Sequence, residues 1–300
     1  MAAEPMPAAE VDVTAALVRA LLRDQHPDLA ELPLGAIVNG WDNVIVRLGD
    51  DLAVRLPRRL AGVALIEHEQ RWLPDLAARL PIPIPAPVRV GRPGRGYPWP
   101  WSITPWFDGA VAAESVLADP AREARRLGAF MAALHLPAPD DAPDNPARSG
   151  HIGDRDERFL ETHGVAADQL DSVRPGGARR ALVRWRELIA TPRQPGTPVW
   201  VAGDVHSANV IVHDGEIVAV IDFGDLCAGD PAVDLAIGWM LFSDSERDEF
   251  LDAAGADPPA RRRAEAWAWY FAVLYLAHSA DDARLARMGR RLTATLLDRV

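Results

Sequence analysis

Between residues 200 and 235 the chain reads WVAGDVHSANVIVHDGEIVAVIDFGDLCAGDPAVDL. Asp204 is followed five positions later by Asn209, and thirteen positions after that by Asp222, which opens Asp222-Phe223-Gly224. The apolar runs starting at Val210 and Ile217 read as short buried strands. An unpaired carboxylate at the end of such a strand is costly, so these polar residues need a partner from outside the sequence. A carboxylate and a carboxamide on one loop, joined by a second carboxylate after a hairpin, form an oxygen-rich site. Hard Mg²⁺ prefers such ligands and fills its remaining positions with water and phosphate oxygens. Phosphoryl transfer uses these parts: a base that orients a hydroxyl, metal ligands that neutralise phosphate charge, and a cationic clamp.

The D-x-x-x-x-N spacing followed by D-F-G is similar to the catalytic and metal-binding segments of protein kinases, but the wording between those residues differs. The 31-residue block from Asp204 to Asp234 resembles the aminoglycoside phosphotransferase family, which includes the macrolide phosphotransferases. The resemblance extends through GWDNVIVRLGDDLAVRLPRR and EHEQRWLP to the C-terminal helices, and so covers nearly the whole chain. It implies a protein-kinase-like, two-lobed fold with nucleotide held between the lobes. By position it makes Asp204 the catalytic base, and Asn209 and Asp222 the ligands of Mg²⁺ ions bridging the phosphates of ATP or GTP. His206 would shape the loop and Asp234 would brace it. Ser207 and Ala208 stand where many members carry Pro-Gly or similar small residues.

In the first lobe the resemblance puts Arg55 where kinases have a phosphate-contacting lysine. The chain contains no lysine, and the planar fork of an arginine can hold phosphate oxygens bidentately. Glu69 is the first choice for its ion-pair partner and Glu67 the second, while Arg58 and Arg59 are expected to face solvent. The first hairpin, VNGWDNV, has Gly40 rather than a G-x-G-x-x-G loop. Thr104-Pro105-Trp106-Phe107 is the expected hinge, where backbone groups would recognise a purine.

The elements that must position these residues give an α+β protein. Residues 11–24 show helical spacing. The stretches 33–40, 43–49 and 52–57 are short β-branched runs separated by turn residues, the pattern of an antiparallel meander. A helix over 64–80 follows, with Pro74 expected to kink it or to mark its first turn. The segments 84–91 and 101–107 complete a small five-stranded antiparallel sheet. From residue 109 helical patterns dominate, over 120–137, 153–163, 177–190, 231–243, 245–254, 260–279 and 281–298, and 137–150 reads as a long surface loop. Residues 1–108 are therefore expected to form the nucleotide-binding lobe, and 109–300 a helical lobe carrying the catalytic loop and the acceptor site.

Composition narrows the function further. A net charge of −11 argues against nucleic-acid binding. The stretch 266–277 (AWAWYFAVLYLA) is too short to span a bilayer and reads as a buried helix. The N-terminus shows no secretory signal. The single cysteine, Cys227, fits a reducing cytoplasm and a packing role. The tryptophans at 98–106 and 266–269 read as core and lobe-interface residues, and His135 and His151 as surface or capping residues. Asp154, Asp156, Glu157 and Glu161, opposite Asp225 and Asp230, could attract a polycationic acceptor or simply keep the protein soluble. The expected activity is transfer of the γ-phosphate of ATP or GTP to a hydroxyl of a small molecule, an antibiotic of aminoglycoside, macrolide or nucleoside type, by a monomer or homodimer. The alternatives are a metabolic kinase of homoserine, choline or sugar type, and an inactive kinase-like binding protein.

Overall fold

Residues 7–279 and 282–299 are described by the structure, a computed structural model. Residues 1–6, part of the stretch read for a leader, lie outside the described residues, as do 280, 281 and 300.

Period-2 alternation organises the first sheet. Its strands are β1 (Leu34–Asn39), β2 (Asn43–Leu48), β3 (Leu52–Pro57), β4 (Arg89–Gly91) and β5 (Trp101–Pro105), all antiparallel, in the spatial order β1-β2-β3-β5-β4. The meander thus holds for three strands, after which β5 inserts beside β3 and leaves β4 at the edge. The strand expected over 84–91 is only three residues long, because Pro85 and Pro87 have no N–H to give a ladder. Val44, Val46, Leu48, Val54, Leu56, Trp101 and Ile103 point to one face and build a core with Val18, Leu21 and Leu22 of α1 (Ala15–Gln25). The alternate residues Ile45, Ala53, Arg55 and Thr104 must then face the other side, where they line a cleft.

Helix α2 (Ala61–Ala77) carries a buried stripe of Ile66, Glu69, Leu73 and Leu76 at helical spacing. It runs through Pro74 rather than breaking there. Its C-terminal residues Leu73 and Leu76, with Ile82 and Ile84, belong to the larger core that the second half of the chain builds.

That half contains β6 (Ala110–Val111), α3 (Pro120–Leu134), α4 (Asp156–Val173), α5 (Gly177–Ile189), β7 (Val199–Val201), β8 (Val210–His213), β9 (Glu216–Val220) and β10 (Cys227–Gly229). It continues with α6 (Ala232–Leu235), α7 (Gly238–Leu241), α8 (Asp244–Ala253), α9 (Pro258–Ala277) and α10 (Ala283–Leu297). The helix expected over 231–243 is divided into α6 and α7, and α4 continues ten residues past the expected end at 163. Strands β8 and β9 form a hairpin in which His213 pairs with Glu216 across Asp214-Gly215. Both turn residues have positive φ, 50° and 79°, as a two-residue hairpin of this hand requires. Helix α9 is buried nearly all round, with Trp267 and Trp269 fully inside. No helix among the described residues is long and apolar enough to cross a membrane.

Candidate active site

The cleft face of the first sheet and the β8–β9 hairpin enclose a cavity of about 270 Å³. Arg55, Thr104, Trp106 and Phe107 line it from the sheet side and Asp222 from the hairpin side. Arg55 Nη1 donates to Glu69 Oε2 at 2.7 Å, with both side chains buried. Glu69 rather than Glu67 is thus the partner, because it lies on the buried stripe of α2. Arg55 Nε and Glu69 Oε1 have no partner, an expensive arrangement for buried polar atoms. Burial pushes the Glu69 carboxyl above its ordinary value, against the pull of Arg55. Arg58, expected at the surface, is buried at 8% exposure and donates to the Gly40 carbonyl at 3.2 Å. It ties the end of β3 to the first hairpin. Arg59 pairs with Asp42 at the rim.

The expected hinge is held from the side. The Trp106 backbone N–H donates to the Asp51 carbonyl at 2.8 Å, so that donor is already engaged. The Trp106 ring lies under the Arg47 guanidinium at 5.1 Å, and Arg47 pairs with Asp108 at 3.1 Å.

On the other side of the cleft the loop from Asp204 to Asn209 is closed by its own groups. Asn209 Nδ2 donates to the Asp204 carbonyl at 3.0 Å, so the amide nitrogen is the end that closes the loop. His206 Nδ1 accepts from the Ala208 N–H at 3.1 Å, so the neutral ring carries its proton on Nε2. That Nε2 stands 3.6 Å from Asp204 Oδ2. Asp222 has a φ of +64°, a left-handed conformation uncommon outside glycine and concentrated at functional sites. Burial raises its carboxyl above the ordinary aspartate value; Arg55 opposes this shift and Asp204 adds to it.

Asp234 sits beneath the loop, fully buried. Its oxygens accept from the Ala202 and Gly203 N–H groups, each at 2.8 Å. Gly203 has φ +84°, and a Cβ there would come within 2.6 Å of the Asp225 carbonyl oxygen, so the loop turns here on a glycine. His135 Nε2 lies 3.1 Å from Asp234 Oδ2. His135, read from sequence as a surface or capping residue, does cap the C-terminus of α3, and its little-exposed side chain also supports the brace. His151 does cap, accepting from the Gly153 N–H at 3.0 Å.

Arg148 was hidden in sequence by its Pro- and Asp-rich surroundings, in the segment expected to be a surface loop. Its Nη2 donates to Asp204 Oδ1 at 3.0 Å and its Nε to Asp225 Oδ2 at 2.9 Å, while Asn145 holds the other Asp225 oxygen at 2.9 Å. The guanidinium also lies over the Phe271 ring at 5.5 Å. Burial pushes the Asp204 carboxyl up, but His206 and then Arg148 outweigh it and hold the group below its ordinary value. Asp204 is thus kept ionised.

The acids that could have attracted a polycationic acceptor are mostly taken. Asp154 pairs with Arg193, Glu161 with Arg158, and Asp225 with Arg148. Asp156 accepts from Trp185 Nε1 at 2.7 Å, and Asp230 is locked in a buried pair with Arg263 at 2.6 Å. Except for the i,i+3 pair of Arg158 and Glu161 within α4, the arginines come from distant elements, which charge counted along the chain does not reveal.

Residues 34–267 match the family model APH, the phosphotransferase enzyme family. The chain belongs to this family. Among solved structures it is similar to the GDP complex of wild-type aminoglycoside 2'-phosphotransferase-IIIa, at 19% identity and TM-score 0.69, over 94% of this chain and 98% of that one. It is also similar to the GDP and kanamycin complex of APH(2")-IIia, at 19% identity and TM-score 0.66 over the same shares. The apoenzyme of macrolide 2'-phosphotransferase MphH from Brachybacterium faecium aligns at 22% identity and TM-score 0.57, over 95% of this chain and 98% of that one. At these identities the likeness concerns the fold, which is the kinase-like α+β fold of these phosphotransferases. No curated protein matches the chain.

Proposed function

We propose that the protein transfers the γ-phosphoryl group of ATP or GTP to a hydroxyl of a small molecule, using residues 1–108 as a nucleotide lobe and 109–300 as an acceptor lobe. One observation carries this reading. Asp204 is held ionised by His206 and Arg148, on the loop that also presents Asn209, and Asp222 faces Arg55 across the adjoining cavity. The donor set is oxygen-only, and the Asp222 carboxylate opens to the cavity from a backbone held at φ +64°, which suits Mg²⁺. Asn209 Oδ1 and the Asp222 carboxylate would hold it. When bound, the metal neutralises phosphate charge.

The remaining work falls to side chains. Arg55, fixed by Glu69, directs its spare N–H groups at phosphate oxygens. Asp204 accepts a hydrogen bond from the incoming hydroxyl and orients it for in-line attack. The acceptor oxygen bonds to the γ-phosphorus, the bridging oxygen departs with the nucleoside diphosphate, and the proton passes to Asp204 and then to water. The solved relatives support an antibiotic hydroxyl as the acceptor class. An inactive binding protein is the weaker reading, since it would have no use for Asp204, Asn209 and Asp222 together.

Asp204→Asn tests the assignment. General-base removal costs about 10²–10⁴-fold, so kcat falls by that order while calorimetry with a non-hydrolysable nucleotide shows nearly unchanged affinity. Wild-type turnover in the variant would refute Asp204 as the base.

A further inference from the structure

A second cavity, of about 310 Å³, opens on the far side of the catalytic loop. Ser207 of that loop forms part of its wall, and Tyr275 of α9 forms another part. The Tyr275 ring meets the His206 ring edge-on at 6.1 Å, and His206 touches Asp204. The cavity is therefore linked to Asp204 through two side chains, Tyr275 and His206. Met240 and Leu292, both buried, give it an apolar side.

Its charge runs against that of the molecule. In a chain of net charge −11, Arg284, Arg287 and Arg291 of α10 line this cavity, opposed by one acid, Glu114. Glu114 stands 3.2 Å from Arg284 and 3.7 Å from Arg287. Among the described residues Arg291 forms no ion pair, although Asp244 and Asp298 line a neighbouring cavity with it. A solvated helix face would account for exposed arginines, but it would not account for Tyr275. The Tyr275 hydroxyl is buried and has no hydrogen-bond partner, a donor left without an acceptor. Tyr275 shares this cavity wall with the arginines, while the charges that act on its hydroxyl are Asp204 and Arg148. An O–H donor and guanidinium groups around one cavity suit a carboxylate or phosphate oxygen. The guanidinium groups repel a polycation.

We infer that the acceptor is a hydroxyl compound with an apolar body and one anionic group, carboxylate or phosphate, which Arg287 and Arg291 hold while its hydroxyl meets Asp204. This rests on the phosphotransferase reading and specifies its acceptor. It also separates this chain from relatives that bind kanamycin.

The test is calorimetric titration of the full chain with anilinonaphthalene sulfonate, an apolar-bodied anion. Wild-type protein is expected to bind it at one site, and Arg287→Gln/Arg291→Gln to weaken binding about tenfold or more. Arg179→Gln/Arg186→Gln, on the exposed side of α5, should leave binding unchanged. No binding by the wild type, or equal binding by the cavity variant, overturns the inference, as does displacement of the probe by kanamycin. A nucleotide-consumption assay then compares a hydroxylated carboxylic acid with its methyl ester and a sugar phosphate with its free sugar, and the charged member of each pair is expected to be used preferentially. Preferential use of the uncharged members counts against the inference while leaving phosphotransfer standing. Absence of nucleotide binding, measured separately with a non-hydrolysable analogue, would instead remove the phosphotransferase reading.

Discussion

Arg148 holds Asp204 and Asp225 with one guanidinium, so its loss would be felt as a change in Asp204, the proposed base. Arg148→Leu removes the permanent cation from the groups that keep Asp204 below its ordinary value, leaving the His206 contact. The carboxyl then rises towards the value burial favours, and the acid limb of the kcat/KM profile moves to higher pH. Misplacing a reacting group by an ångström can cost about 10²-fold, so kcat should drop by roughly that factor with nucleotide affinity nearly unchanged. Arg148→Lys should restore part of the shift in the limb. A profile whose acid limb stays in place in Arg148→Leu would make Arg148 merely structural. Cys227 behaves differently. Burial, helped by Asp234 and Asp225, pushes its thiol up to about 12. Since the thiolate is the reactive form, iodoacetamide at pH 8 should leave the folded protein unlabelled and label it promptly in urea. Labelling of the folded protein at the unfolded rate would contradict the burial.

Among the elements, α6 supports the proposed catalytic loop through Asp234, and the C-cap of α3 supports it through His135. Asp234→Ala strands two buried backbone N–H groups and the His135 ring. Each unsatisfied buried group costs about 1–3 kcal/mol, so urea unfolding should lose about 3 kcal/mol or more. His135→Ala leaves both amides satisfied and should cost about 1 kcal/mol. Because the two residues touch, the double variant should fall short of the sum. Strict additivity would mean that His135 does not act through Asp234.

For the whole molecule, a ligand seated between the first sheet and the β8–β9 hairpin joins two bodies that have separate cores. Binding only to the folded state stabilises it by about 2.7 kcal/mol at a hundredfold excess over Kd. Mg²⁺-ATP or Mg²⁺-GTP should therefore raise the melting temperature, and EDTA should abolish most of the rise if Asn209 and Asp222 hold the metal. An equal rise with and without Mg²⁺ would remove those two residues from a metal site. The overall charge of −11 gives an anionic nucleotide no general attraction, so affinity must come from local cations such as Arg55.

The loop from Asp204 to Asn209 was legible in sequence because it is local: one side chain closes it onto a carbonyl five residues away. The Asp-Gly hairpin and the alternation that faces Arg55 to the cleft were legible for the same reason, since turn chemistry and pleat act over two to four residues. The fold class followed from those periods. Arg148 meets Asp204 across 56 residues, and His135 meets Asp234 across 99; no local pattern marks either. The acids of the second half could in sequence have attracted a cation, but Arg193, Arg263 and Arg148 stand against three of them. The basic cavity on α10 was likewise invisible in an acidic composition. Sequence fixes how many charges the chain carries and which face of each element they occupy. Only tertiary packing decides which charges neutralise one another and which are left for a ligand, because Coulomb attraction depends on distance in space and on burial, not on separation along the chain.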